Sequence, residues 1–178
     1  MLSPKRLVAA GPKQAKVFAV LAGLAAACFA TRSGVVPPIL VWNASASAPV
    51  GLYLRLDEAR VSRGDLVLVE PPFVVARFAD ERHYLPLGVP LIKRVAALSG
   101  STICGRGDIV SIDGKAQLKR QKTDGKGRPL PAWSGCHRLD ADEVFLAMEG
   151  VPGSFDGRYF GALPTATIKG QLVPLWTR

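Results

Sequence analysis

A chain of 178 residues, 48% hydrophobic and 21% charged, holds one domain of ordinary size with room for an accessory segment, and it can bury a core, which excludes global disorder and a fibrous repeat. The formal net charge of +9 suggests a nucleic-acid binder until it is located: four basic residues (Lys5, Arg6, Lys13, Lys16) precede residue 17, and six (Lys115, Lys119, Arg120, Lys122, Lys126, Arg128) face one acid, Asp124, in a single stretch. The other thirteen basic and thirteen acidic residues balance, so the excess is a basic tip and a basic loop, not a basic face, and no nucleic-acid partner is expected.

In chain order, residues 1–16 read as a basic cytoplasmic tip and residues 17–32 as an apolar signal or anchor helix that meets the lipid bilayer. The uncharged run Val17–Thr31 would span only about 22 Å as a helix, short of the roughly 30 Å hydrocarbon core, which leaves a cleaved signal and a retained anchor both open. Basic residues before the run, with Arg32 after it, place the amino terminus in the cytoplasm and the body on the far face of the membrane. In bacterial terms that is an inner-membrane protein whose body, residues 33–178, faces the periplasm, or a periplasmic one if the segment is removed. Cys28 lies in the apolar run, so Cys104 and Cys136 remain on the oxidising side, where they form a disulfide or stay as two buried thiols.

From residue 33 to 178 no stretch holds helical periodicity for three turns, and short strand-like runs bounded by Gly, Pro and Asp recur. The body is expected to be mainly β, with strands at 51–56, 66–70, 90–98, 101–104, 109–112 and 143–148 and a last one ending near Trp176. Turns are expected at 63–65, 105–108, 113–114 and 156–157. The Gly/Lys/Arg-rich segment 115–131 reads as a basic surface loop. Pro71-Pro-Phe73-Val-Val75 and Phe78 read as a sheet-packing loop or a membrane-facing lip.

His83 and His137 are the only imidazoles, no Gly-rich phosphate loop is present, and the cysteine spacing fits no common zinc site, so no cofactor or metal is expected. Two places stand out. In an extended strand Leu91, Lys93 and Val95 share one face and Ile92, Arg94 and Ala96 the other, so each face of an apolar run carries one charge. A buried Lys93 would lose much of its affinity for a proton and become a usable base; a lysine snorkelling from an edge strand is the other reading. Ser45 and Ser47 lie two apart among alanines, just before Pro49 and Gly51, and such a hydroxyl stays inert unless a base removes its proton.

Ser45-Ala-Ser47-Ala-Pro49-Val-Gly51-Leu-Tyr53, Arg63-Gly64-Asp65, Ile92-Lys93-Arg94-Val95 and Ser154-Phe-Asp156-Gly-Arg158-Tyr-Phe-Gly161 follow one another in the order of the conserved boxes of the signal-peptidase-like serine–lysine proteases. The first box resembles most the conjugal-transfer branch, whose maturation peptidases process the precursor of the conjugative pilus subunit. The resemblance implies an antiparallel β-rich catalytic domain behind one amino-terminal membrane helix, and a pilin precursor as substrate. It implies Ser47 as nucleophile and Lys93 as general base, with the Ser47 N–H and the Ser45 hydroxyl as oxyanion donors. It also implies Ser154 as the residue that positions the lysine, and Asp156 as one that orients the site or pairs with a structural Arg158. The sequence departs from the general signal peptidases at Ala48, Ala97, Ser99 and Gly157. A general type I signal peptidase and a non-catalytic membrane-anchored β-domain for pilus or secretion assembly are the rival readings.

Overall fold

The computed structural model describes residues 39–57 and 60–178; the basic tip, the apolar segment 17–32 and Cys28 lie outside them. Eleven strands are found there: β1 (Leu40–Asn43), β2 (Gly51–Leu56), β3 (Leu66–Val69), β4 (Leu91–Leu98), β5 (Thr102–Arg106), β6 (Ile109–Ile112), β7 (Ala116–Lys119), β8 (Gly135–Arg138), β9 (Glu143–Leu146), β10 (Leu163–Pro164) and β11 (Ile168–Thr177). Helices are short: α1 (Phe73–Glu81) and α2 (Gly157–Phe160), with a 3-10 turn at Thr165–Thr167. The expected β-rich class is what the structure shows.

Seven strands form one sheet in the order β1-β2-β11-β3-β4-β9-β10 and four form another in the order β7-β6-β5-β8, with antiparallel pairing throughout. Leu66-Val-Leu-Val69 is buried at every position, as a strand covered on both faces must be. Leu66 and Leu68 join Ala48, Tyr53, Ile92, Met148 and Leu172 in one apolar cluster. Val67 and Val69 turn the other way, into a cluster with Leu91, Val95, Val144 and Leu146. Ile103, Val110, Ile112 and Leu118 of the small sheet pack on Ala96, Ala97 and Phe145 of the large one. Burying each large aliphatic side chain contributes roughly 1.5–3 kcal/mol, which sets the scale on which these clusters hold the sheets together.

At Gly51 a Cβ would stand 2.0 Å from the Trp176 carbonyl oxygen, at a φ of +156°, so only glycine lets β2 close on β11 here. Trp42 of β1 and Trp176 of β11 both pair with Leu52 between them, and their exposed rings stack across it with centroids 6.0 Å apart. Cys104 and Cys136 face one another across β5 and β8 and are joined by a disulfide.

Four details differ from the sequence expectations. Pro71–Phe78 is not a loop: Pro72 is the N-cap of α1, which buries Ala79 and leaves Phe73 and Val74 exposed. At nine residues with adjacent β-branched valines, it is too short to show a helical period. The basic segment 115–131 contains β7, because Leu118 is buried in the small-sheet core and Arg120 is buried with its guanidinium over Trp133. Asp156-Gly157 is not a turn but the start of α2, with the Asp156 side chain accepting the Arg158 N–H. Strands β1, β8 and β10 lack an alternating apolar pattern and are held by their partners.

Candidate active site

The two serines lie in the connection from β1 to β2, and Asn43 organises it. Buried at the end of β1, Asn43 donates its Nδ2 to the carbonyls of Ser45 (3.0 Å), Ala48 (3.1 Å) and Pro49 (2.9 Å) and accepts the Ser45 N–H on Oδ1 at 2.9 Å. From the β2 side Tyr53, also buried, donates its hydroxyl to the Pro49 carbonyl at 2.5 Å. The loop is therefore fixed at both ends by side chains outside it. Within it Ser45 Oγ lies 2.9 Å from Ser47 Oγ and accepts the Ser47 N–H at 3.2 Å. Ala48 turns inward and is buried in the apolar cluster that also holds Tyr53, Ile92 and Met148.

Lys93 sits opposite Val67, and β4 runs between β3 and β9, so it is no edge strand and the snorkelling reading falls. The lysine is 1% exposed, whereas Arg94 points to the surface and donates to the Gly64 carbonyl. Lys93 Nζ donates to Ser154 Oγ at 2.8 Å. Burial pulls its pKa down to about 8; the Asp156 carboxylate pushes it up and the Arg158 guanidinium down again. Because Asp156 and Arg158 neutralise each other, desolvation decides the outcome.

That ion pair is itself buried. Asp156 accepts Arg158 Nε at 2.8 Å on Oδ1 and Arg158 Nη2 at 2.9 Å on Oδ2, and its Oδ2 also takes the Met148 N–H at 3.0 Å. Arg158 Nη2 further donates to the carbonyls of Ser154 (3.1 Å) and Val151 (2.8 Å), and its Nη1 to that of Lys119 (3.1 Å). Such a pair holds backbone in place more than it adds net stability. It fixes the main chain on which Ser154 rides.

The structure thus brings Lys93, Ser154, Asp156 and Arg158 into one buried cluster and Ser45 with Ser47 into one loop. Cys104 and Cys136 lie in the small sheet. The arrangement offers a lysine able to lose its proton near neutral pH, and a hydroxyl pair with a backbone N–H beside it. Sequence reasoning passed over Asn43 and Phe155. Asn43 carries a signal, since a short amide side chain at the start of a turn bonds the backbone two residues on.

A family model for signal peptidase, peptidase S26, matches residues 13–176. A plasmid transfer protein TraF of Escherichia coli is 35% identical, the match covering 96% of each chain. A probable conjugal transfer protein TraF of Sinorhizobium fredii is 38% identical over 72% of each. Among solved structures, a signal peptidase I of Enterococcus faecalis aligns with a TM-score of 0.39 at 20% identity, covering 64% of this chain and 97% of that one. With most of its length matched, from before the serine loop to the last strand, the chain belongs to the signal peptidase family, peptidase S26, and is a protease.

Proposed function

We propose that this protease is a serine endopeptidase with Ser47 as nucleophile and Lys93 as general base, and that it processes the precursor of a conjugative pilus subunit at the membrane. The observation that carries the reading is Lys93: a fully buried amine in mid-sheet, bonded to Ser154, with a pKa of about 8. About a tenth of such a group is neutral at pH 7, enough to act as a base.

In this reading Ser47 Oγ attacks the scissile carbonyl carbon while Lys93 takes its proton. The oxyanion is met by the Ser47 N–H and the Ser45 hydroxyl, which in the free protein bond to each other, and each such donor contributes a few kcal/mol of barrier lowering. The Lys93 ammonium then protonates the leaving amine, releasing it and leaving an acyl-enzyme on Ser47. Water completes hydrolysis; the pilin's own amino terminus in its place would give a head-to-tail cyclic subunit.

The names of the TraF relatives support a role in conjugation. The cytoplasmic tip, the anchor in residues 17–32 and a catalytic domain facing the periplasm complete the proposal, and the Cys104–Cys136 disulfide supports an oxidising compartment. Ser47→Ala and Lys93→Met should each abolish conversion of the pilin precursor in cells, followed by mass spectrometry of the subunit. Retained processing in either variant would sink the dyad. Efficient cleavage of unrelated exported precursors would overturn the pilin-specific part alone.

A further inference from the structure

Between Ser154, which holds the lysine, and Asp156, which holds Arg158, stands a residue with no polar chemistry. The Phe155 ring stacks on Phe78 of α1 at 5.3 Å and on Tyr159 at 6.0 Å, and meets Tyr84 at 5.5 Å and Phe160 at 5.4 Å. This cluster is anchored outside the site. Tyr84 donates its hydroxyl to Asp124 at 2.6 Å, and Asp124 in turn accepts Arg128 Nε at 2.7 Å. Tyr159 Oη accepts the Gln121 N–H at 3.0 Å. Both α1 and the basic segment therefore bear on one ring.

We infer that Phe155 is a positioning residue for the general base: locked among Phe78, Tyr84, Tyr159 and Phe160, it fixes the backbone turn that aims Ser154 Oγ at Lys93 Nζ. The Arg158 contacts hold the Ser154 carbonyl, but the direction of the following peptide, and with it the orientation of the Ser154 side chain, is set by where the next side chain is anchored. The helix between β3 and β4 thereby acquires a function: through Phe78 it supplies one wall of the anchor. The inference rests on the reading of Lys93 as base.

The test uses the full chain and an internally quenched peptide spanning the cleavage junction of a pilin precursor. Phe155→Ala should lower kcat between about ten- and a hundredfold, as expected for a misplaced catalytic group. KM should stay within about twofold, since the lost interaction is not one made by the bound substrate. The pH midpoint of kcat/KM should move up toward the ordinary lysine value as Lys93, whose charged neighbours among the described residues are Asp156 and Arg158, loses its tight enclosure. Phe155→Tyr should restore most of the activity. Phe78→Leu should act in the same direction more weakly, and should add little to Phe155→Ala because the two share one path. Wild-type kcat and pH midpoint in a folded Phe155→Ala protein overturns the inference; if that variant does not fold, the same result in Phe78→Leu overturns it. Ser47→Ala and Lys93→Met run alongside separate the two ideas. Activity in these shows that the dyad reading has failed, whereas inactivity there with a normal Phe155→Ala enzyme sinks only the positioning role.

Discussion

Lys93 and Arg94 are adjacent, both cationic, and opposite in fate: one is buried with its amine on Ser154, the other lies on the surface. The consequence is a pH dependence with a definite sign. As the proposed general base Lys93 must be neutral to act, so kcat/KM should rise about tenfold per pH unit below pH 8 and level off above it, a profile read directly from initial rates. Stability runs the same way. The folded pKa lies below the unfolded one, so the cost of burying the cation is present in full below about pH 8 and is relieved as pH rises from there toward the ordinary lysine value. Urea titrations should therefore show Lys93→Met no less stable than the parent at pH 7 and losing that advantage by pH 10, while inactive at both. Asn43 tests the other half of the site. Asn43→Ala deletes four hydrogen bonds to the serine loop, among them the buried one to the Ala48 carbonyl, at roughly 1–3 kcal/mol. It should cost more in kcat than in melting temperature, as seen by comparing turnover with thermal unfolding.

Among the elements, the disulfide is the easiest to isolate. It links β5 to β8, 32 residues apart, and so closes the small sheet without touching the serine loop or Lys93. Replacing both Cys104 and Cys136 with serine should cost about 2–4 kcal/mol in denaturant unfolding while leaving the pH midpoint of activity in place. The strands that could be read from the sequence were those whose own residues alternate or run apolar, such as Leu66–Val69 and Ile109–Ile112. β8 could not be read, because all four of its residues are exposed and it exists only by pairing with β5. α1 was hidden by its length and by Val74-Val75. The site was legible by residue type, through a lysine in an apolar run and paired serines among alanines, but which of two adjacent charges is buried depends on what covers each face of β4, and Lys93 is met by Ser154, 61 residues away in sequence. Phe155 had no signal at all, since its partners come from α1, the segment after it and α2.

At the scale of the whole molecule the charge excess separates from the chemistry. Asp124 gathers Arg128 and the Tyr84 hydroxyl, so the basic segment is a folded flank of the domain rather than a free arm. Among the described residues no helix is long and apolar enough to cross a membrane. The last feature of consequence is optical. Trp42 and Trp176 lie with ring planes 12° apart on either side of Leu52, and the strand carrying Trp42 runs directly into the serine loop. Indoles this close couple their excited states, so the pair is a built-in spectroscopic gauge of the pairing of β1, the strand that leads into the serine loop. Trp42→Phe should abolish the exciton couplet that the pair gives in circular dichroism, and in the parent protein loss of that couplet on mild heating before global unfolding would record the fraying of β1. A spectropolarimeter then follows the strand that leads into the serine loop with no substrate present.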